Sequence, residues 1–327
     1  MNKKILVFSN GEKIGDGIIK LQLLNEIKIR LPNYKLYWIT DKGKTVYSGI
    51  LKNIASKYID VYYEQANLNS LFWQNISDKF NLHHEYFDYI LDTQKSVFRT
   101  LALKRIKHGI FISGSANGFF SSIKIRTIKN NRYYLDNIFD LLDLICKKKV
   151  EDNFQLPINT NLEKLISQIL KKDHKYIGIA PGAGEQNKIW SIKNFIEISN
   201  YIQTLNVKLV FFIGPEEIYL KEKLYNLFPA SIFIEDLIKG YSNIEIIMAS
   251  TKFLELAISN DSGVSHMLST GYCPLIKLFG PKNAKKFTPD KKNLYYISSD
   301  EFKSLDINTI TTKRVIKEIN KLLEINN

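Results

Sequence analysis

The same local pattern occurs twice in this chain, and it restricts the fold more than any other feature. Near the amino terminus "KKILVFS" reads as a short apolar strand and "NGEKIGD" as a glycine-bearing loop. "GIIKLQLLNEIKIRL" follows as a helix with Ile18, Ile19, Leu21, Leu24, Ile27 and Leu31 on roughly one face; Pro32 ends it, and "YKLYWIT" is a second strand. The order returns later as the strand "KYIGIAP", the loop "GAGEQNKIWS", the helix "IKNFIEISNYIQTL" and the strand "VKLVFFIG". A strand, a crossover helix and a further strand join compactly as a parallel pair with a right-handed crossover, so the pattern predicts α/β architecture with parallel sheets.

Between and beyond the two starts the alternation continues. "FDYILDT" and "HGIFIS" read as further strands of the first sheet. "IFIED", a helix near Asn243 to Ser250, "FLELAIS", a helix from Gly263 and "PLIKLFG" continue the second, and "TTKRVIKEINKLLEI" is a closing helix. With 327 residues the chain has room for two cores. The expected division is a domain at 1–155, a polar, helix-like linker at 156–173, a second domain at 174–308 and the closing helix at 309–327. Two doubly wound domains facing each other bind ligands at the carboxyl ends of their strands, so the loops there are informative.

Composition narrows the possible functions. No apolar run approaches the roughly 18 residues of a membrane span, and "MNKKILVFSNG" is too short in apolar residues for a secretory leader, so a cytoplasmic location is expected. Cys146 and Cys273 lie far apart with no cysteine or histidine at ligand spacing, which argues against disulfides and zinc; adjacent His83 and His84 do not share a helix face. The net charge of +13 favours anionic partners. From 93 to 135 there is no acid, while Lys95, Arg99, Lys104, Arg105, Lys107, Lys124, Arg126, Lys129 and Arg132 fall there. This is either a solvated face or an anion-binding one. Nucleic acid is not expected, because no helix-turn-helix or aromatic RNA-binding strand accompanies the charge.

Three loops carry candidate chemistry. In "AISNDSGVSH", Ser262 or Asp261 can cap the helix that follows, which leaves the amides of Gly263, Val264 and Ser265 facing an anion, with His266 one turn in. The bland alternative is an ordinary cap with a core histidine behind it. Asp261, Ser265 and His266 within one helical turn cannot form a hydrolytic relay. "PGAGEQNKIW" supplies Gly182 and Gly184 for tight turning and Lys188 as a point charge, at a spacing that is not a P-loop. "GEKIGD" places Asp16 at the mouth of the first strand-to-helix turn, either as a helix cap or as a carboxylate facing a cleft. The dinucleotide fingerprint is absent there.

Together the stretches "IGDGIIKLQLLNEIKIRLPNYKLYWIT", "FDYILDTQKSVFRTLALKR", "IGIAPGAGEQNKIWSIKNF", "VFFIGPEE" and "ISNDSGVSHMLSTGYCPLIKLFGP" resemble glycosyltransferase family 9, the heptosyltransferases of lipopolysaccharide core assembly. The last is the most specific, similar to the family's Asp-Thr-Gly-x-x-His followed by Phe-Gly-Pro; residues 44–84 match least. The resemblance implies a GT-B fold of two Rossmann-like domains facing a central cleft, and inverting transfer of a heptose from an ADP-sugar. It makes Asp16 the general base. It places the donor on Gly182, Ala183, Lys188, Asp261, Ser262, Gly263 and His266, with Glu216 or Glu217 on the ribose. An anionic lipopolysaccharide precursor would meet Lys13, Lys95, Arg99 and Arg126, with peripheral attachment at the inner membrane.

No Asp-x-Asp signature occurs, so neither a metal nor another cofactor is expected beyond the ADP-sugar co-substrate. Ser262 stands where threonine is usual and keeps the hydroxyl. Ser191 stands where proline is usual and is expected to loosen the following helix start. The unusual "SNGEKIGD" bears on the acceptor more than on the donor. The competing expectations are a nucleotide-sugar-binding protein without transfer activity and an epimerase on the same architecture, which would need additional carboxylates.

Overall fold

The computed structural model describes residues 3–68, 71, 78–125, 132–146, 156–289 and 291–325. The chain divides into two compact units, Met1–Asp152 and Asn153–Asn327. The first carries β1 (Lys3–Phe8), α1 (Ile14–Arg30), β2 (Tyr34–Ile39), α2 (Lys52–Ala55), β3 (Val61–Tyr63), β4 (Tyr86–Asp92), α3 (Val97–Lys104), β5 (Lys107–Ser113) and α4 (Tyr134–Cys146). The second begins with α5 (Thr160–Ile169), β6 (Tyr176–Ala180), α6 (Ile192–Thr204), β7 (Lys208–Phe211), α7 (Tyr219–Leu227), α8 (Ile234–Leu237) and α9 (Asn243–Ser250). It continues with β8 (Leu256–Asn260), α10 (Gly263–Ser269), β9 (Leu275–Phe279), α11 (Ala284–Phe287), β10 (Leu294–Ser298) and α12 (Thr312–Leu322). Residues 156–173 fall in the second unit, where α5 packs against α9.

Each unit is built on a five-stranded sheet, ordered β3-β2-β1-β4-β5 in the first and β10-β9-β8-β6-β7 in the second, with every paired strand parallel. Helices cover both faces of such a sheet, so its inner strands are apolar continuously rather than alternately. Ile5, Leu6, Val7 and Phe8 of β1 are all fully buried, as are Leu256, Ala257 and Ile258 of β8. The first core gathers around Phe8, Ile39, Phe87, Ile90 and Phe111. The second gathers around Ile179, Trp190, Phe195, Phe211, Ile258 and Leu278, closed from outside by Val315 and Ile319 of α12.

Three details depart from the sequence expectation. The helix α1 buries Lys20, Gln22 and Glu26 as well as its apolar stripe. Glu26 is held where α4 packs along the helix, by Arg30, whose guanidinium bonds Glu26 at 3.0 Å and Asp143 of α4 at 2.8 Å, and Lys20 is turned inward to the Ser9 hydroxyl. "IFIED" forms no strand: Ile232 makes an isolated bridge to Val210, after which the chain turns into α8. The edge strands β3 and β10 are additional.

The strand orders locate the places where ligands bind. In an open parallel sheet the crevice opens at the carboxyl ends of two neighbouring strands whose connections leave in opposite directions. Those pairs are β1 and β4 in the first unit and β6 and β8 in the second. No helix among the described residues is long and apolar enough to cross a membrane.

Candidate active site

At the β6/β8 switch point the chain leaves β8 through Asn260 and Asp261, both buried, and turns into α10. Ser262 is the helix cap. Its hydroxyl oxygen accepts the Ser265 N–H at 3.3 Å, and the Ser265 hydroxyl oxygen accepts the Ser262 N–H at 3.2 Å. This reciprocal box fixes the turn with Gly263 exposed, and a side chain added at Gly263 would meet open space. The amides of Gly263 and Val264 have no intrahelical acceptor, as at any helix start. His266 stands half-buried behind them. Burial, reinforced by Lys277 and Lys188, holds its proton affinity well below the usual 6.5, so the ring is neutral at neutral pH.

The neighbouring β6 loop is held by Asn260. Its side-chain amide donates to the Pro181 carbonyl at 2.7 Å, and its side-chain oxygen accepts the Trp190 N–H at 3.2 Å. Between those anchors run Gly182, Ala183, Gly184 and the turn Gln186–Lys188. Glu217, at the end of the turn after β7, is buried and accepts the Ala183 N–H, and burial pushes its carboxyl upward. A Cβ on Gly182 would lie 2.4 Å from the Glu217 Cδ, so any other residue there requires this carboxylate to shift. Glu216 beside it is exposed.

Ser191 caps α6 through its hydroxyl, and its N–H donates to the Asn308 Oδ1 at 2.8 Å. It does not loosen the helix start. Proline there would lack this N–H donor.

Lys188 reaches into the same space. Its ammonium is 3.0 Å from the Glu185 Oε1 and 3.7 Å from the Asp261 Oδ2. Lys277, in the middle of β9, approaches the other Asp261 oxygen at 3.6 Å from inside the sheet. Sequence reading missed both Asn260 and Lys277. The available signal was a lysine interrupting the apolar run "PLIKLFG", where the surface of an inner strand is not free to take a charge.

In the first unit Asp16 is not a helix cap. Lys13 occupies that position without a side-chain cap bond, and Asp16 lies in the first turn of α1, exposed and without a hydrogen bond or ion pair among the described residues. Below it the helix start is tightly braced. The Tyr47 hydroxyl donates to the Gly17 carbonyl at 2.6 Å, and a Cβ on Gly17 would meet the Val46 Cγ2 at 2.4 Å.

One turn beyond Asp16, the buried Lys20 donates to the Ser9 hydroxyl at 2.8 Å. Burial lowers its pKa, against the pull of Glu12, Asp16 and Asp92. Asp92, at the end of β4, accepts the hydroxyls of Thr100 and Ser113, each at 2.7 Å. Glu12, in the unusual loop, takes the Thr45 hydroxyl on one oxygen, and its other oxygen is buried without a partner among the described residues.

Lys13 and Lys95 are exposed on the loops after β1 and β4. Arg99 is partly committed, its Nε donating to the Asp41 Oδ2 at 3.0 Å. Arg126 lies outside the described residues, as does Lys129. The acid-free run is not one face: Lys95 and Arg99 follow β4 at its carboxyl end, whereas α3 carries the chain back so that Lys104, Arg105 and Lys107 sit at the amino end of β5. Arg132 is paired with Asp140. Among the described residues no group of three His, Cys, Asp or Glu side chains is placed to hold a metal ion.

Two parallel-sheet Rossmann-like units, with a cationic, glycine-rich turn at the second switch point, place the chain in the GT-B fold class. The profile of glycosyltransferase family 9 (heptosyltransferase) matches residues 76–314, and the chain belongs to that family. It is 25% identical over 287 residues to the lipopolysaccharide core heptosyltransferase OpsX of Haemophilus influenzae, a match covering 84% of this chain and 79% of that protein. Among solved structures, the family 9 glycosyl transferase of Veillonella parvula superposes with a TM-score of 0.72 at 17% identity, over 100% of this chain and 99% of that one. The E. coli heptosyltransferase WaaC with ADP-2-deoxy-2-fluoro heptose gives 0.66 at 15%, over 97% and 99%. The profile begins after the β1 turn, so Asp16 lies outside the matched span.

Proposed function

We propose that the chain transfers a heptose, or a closely related sugar, from an ADP-activated donor to an anionic inner-core acceptor of lipopolysaccharide, with inversion at the anomeric carbon and without a metal ion. The observation that carries this reading is the meeting of Lys188, Asp261, His266 and the open Ser262–Gly263 turn at the β6/β8 switch point. The relatives named above as heptosyltransferases support the donor class. The departing diphosphate carries roughly two negative charges, and preformed donors aimed at it lower the barrier. Since α10 has only seven residues, the Lys188 ammonium carries more of that compensation than the helix amides. The adenosine is assigned to a cavity of about 380 Å³ beyond β7, lined in part by Ile213, Pro215, Phe233, Glu235 and Asn243. Glu216 is assigned to the ribose hydroxyls, and Glu217 braces the Gly182 loop.

In the first unit Asp16 takes the proton of the acceptor hydroxyl as its oxygen bonds to the anomeric carbon and the bond to the diphosphate breaks. Positioned general bases contribute about 10²–10⁴ in rate. Lys13, Lys95 and Arg99 are assigned to the acceptor's acidic groups. The proposed division of labour is acceptor binding by 1–155, nucleotide-sugar binding by 174–308, and closure of the second core by 309–327, with 156–173 as the connection. We place the protein in the cytoplasm, at the inner-membrane face. Phe98, three residues after Lys95, and Phe119, four residues after the Ser115 whose hydroxyl donates to the Lys95 carbonyl, are 72% and 82% exposed and suit an anionic lipid surface.

The test is incubation with ADP-heptose and lipid A bearing its inner acidic sugars, read by mass spectrometry. One added heptose, formed at the same rate in EDTA, is expected. ADP binding without transfer would instead support a nucleotide-sugar-binding protein. Failure of anionic vesicles to retain the protein at low salt would remove the membrane assignment.

A further inference from the structure

β9 is an inner strand, paired with β8 on one side and β10 on the other, and four of its five residues are apolar. The fifth is Lys277, which is completely buried. Its ammonium donates to the Phe287 carbonyl at 3.2 Å and stands 3.6 Å from the Asp261 Oδ1. That carboxylate oxygen is itself buried and accepts no hydrogen bond among the described residues. Asp261 is therefore flanked by two unlike cations. Lys188 is partly exposed and shared with Glu185 at the mouth of the site, whereas Lys277 is sealed beneath it.

A buried ion pair is a weak route to stability, because desolvating both charges can exceed their attraction. Desolvation holds the Lys277 proton affinity down to about 8, even with Asp261 alongside. An apolar side chain would suit this strand position better, so the charge points to a role at the site.

We propose that Lys277 is a positioning residue of the donor site, the resident counter-charge of Asp261 that leaves Lys188 free to turn to the diphosphate. The inference rests on reading the β6/β8 end as the donor site. If Lys188 were the sole cation beside Asp261, its move to a phosphate would strand a buried carboxylate, the situation that makes breaking a buried pair costly. With the Lys277 ammonium in place, Asp261 stays neutralised. The other groups facing Lys277 are Lys188, which disfavours its proton, and His266 on α10, which is neutral and adds no charge. Ser259 and Tyr296 are its partners on the neighbouring strands.

The experiment is the dissociation constant of ADP, measured by calorimetry from pH 7 to 9.5, for the native chain, Lys277→Met and Lys277→Arg. The last phosphate proton of ADP leaves at about pH 6, below this window. Native affinity should weaken by up to about tenfold per pH unit above 8 as the ammonium discharges. Lys277→Met should bind about tenfold more weakly at pH 7 and show no such slope, and Lys277→Arg should keep its affinity at pH 9. A flat native profile, or Lys277→Met binding as tightly as the native chain at pH 7, overturns the proposal. Should Lys277→Met not fold, Lys277→Arg binding no tighter than native at pH 9 overturns it equally.

If the native chain binds no ADP at any pH, the donor reading fails, and the pairing is judged without ligand. The unfolded chain keeps the Lys277 proton up to its ordinary 10.5, whereas the folded chain releases it at about 8. Native stability should therefore rise between those values, and Lys277→Met should lack the rise. Lys277→Met as stable as the native chain at pH 7 refutes the buried counter-charge, because removing one partner of a buried pair strands the other.

Discussion

Asn260 holds Pro181: the side-chain amide at the end of β8 donates to the first carbonyl after β6 at 2.7 Å, while its oxygen accepts the Trp190 N–H at 3.2 Å. One buried side chain thus fixes both ends of the glycine loop that carries Lys188. Asn260→Ala leaves two buried backbone groups without partners, each costing about 1–3 kcal/mol. Urea denaturation should show that loss, and ADP affinity should fall with it. Native-like stability would show that the loop finds other anchors.

Asp16→Asn keeps the shape of the α1 turn and removes the basic oxygen. Turnover should drop by about 10²–10⁴, with ADP affinity unchanged within about twofold. Single-turnover kinetics with saturating donor and acceptor measures this directly, and undiminished transfer would remove Asp16 from the proton path.

Gly182→Ala drives a methyl group into the Glu217 carboxylate, which a Cβ would approach at 2.4 Å. Overpacking of this kind costs about 1–3 kcal/mol. Adding Glu217→Ala should recover most of the loss, giving a coupling energy in a double-mutant cycle. Additive losses would place the strain elsewhere.

His266 makes stability sensitive to acid. Its folded-state pKa lies well below 6.5, chiefly through burial, so below pH 6.5 the unfolded chain takes up a proton that the folded chain refuses. Stability should fall as pH drops through that value, with no contribution from this residue above it. His266→Gln should flatten this part of the profile, as followed by thermal unfolding between pH 5 and 7.5.

The sequence makes the inner strands and the long helices legible because parallel strands covered on both faces are continuous apolar runs, and α6 and α12 keep a helical stripe. What it hides has local causes. β3 has three residues and β10 is an edge strand carrying the exposed Tyr296, so neither presents such a run. Residues 44–64 brace α1 through Tyr47 and the loop before it through Thr45, contacts that no periodicity encodes. The turn with Asp261, Ser262, Gly263 and His266 is readable because acid, hydroxyl and glycine occur together after a strand. Lys20 is not, since a lone lysine on a helix looks the same whether it reaches solvent or is sealed beside a carboxylate, and Lys277 shows only as a break in an apolar run. Arg99 shows the opposite problem: its charge is visible, but its partner Asp41 is 58 residues away.

The hydrophobic clusters around Phe87 and around Phe195 share no residue, and each supports its own switch-point loops. The β1 and β4 loops stand on the cluster around Phe87, and the β6 and β8 loops on the cluster around Phe195. In descendants of such a chain the two sets of loops can change in sequence while each keeps the core beneath it.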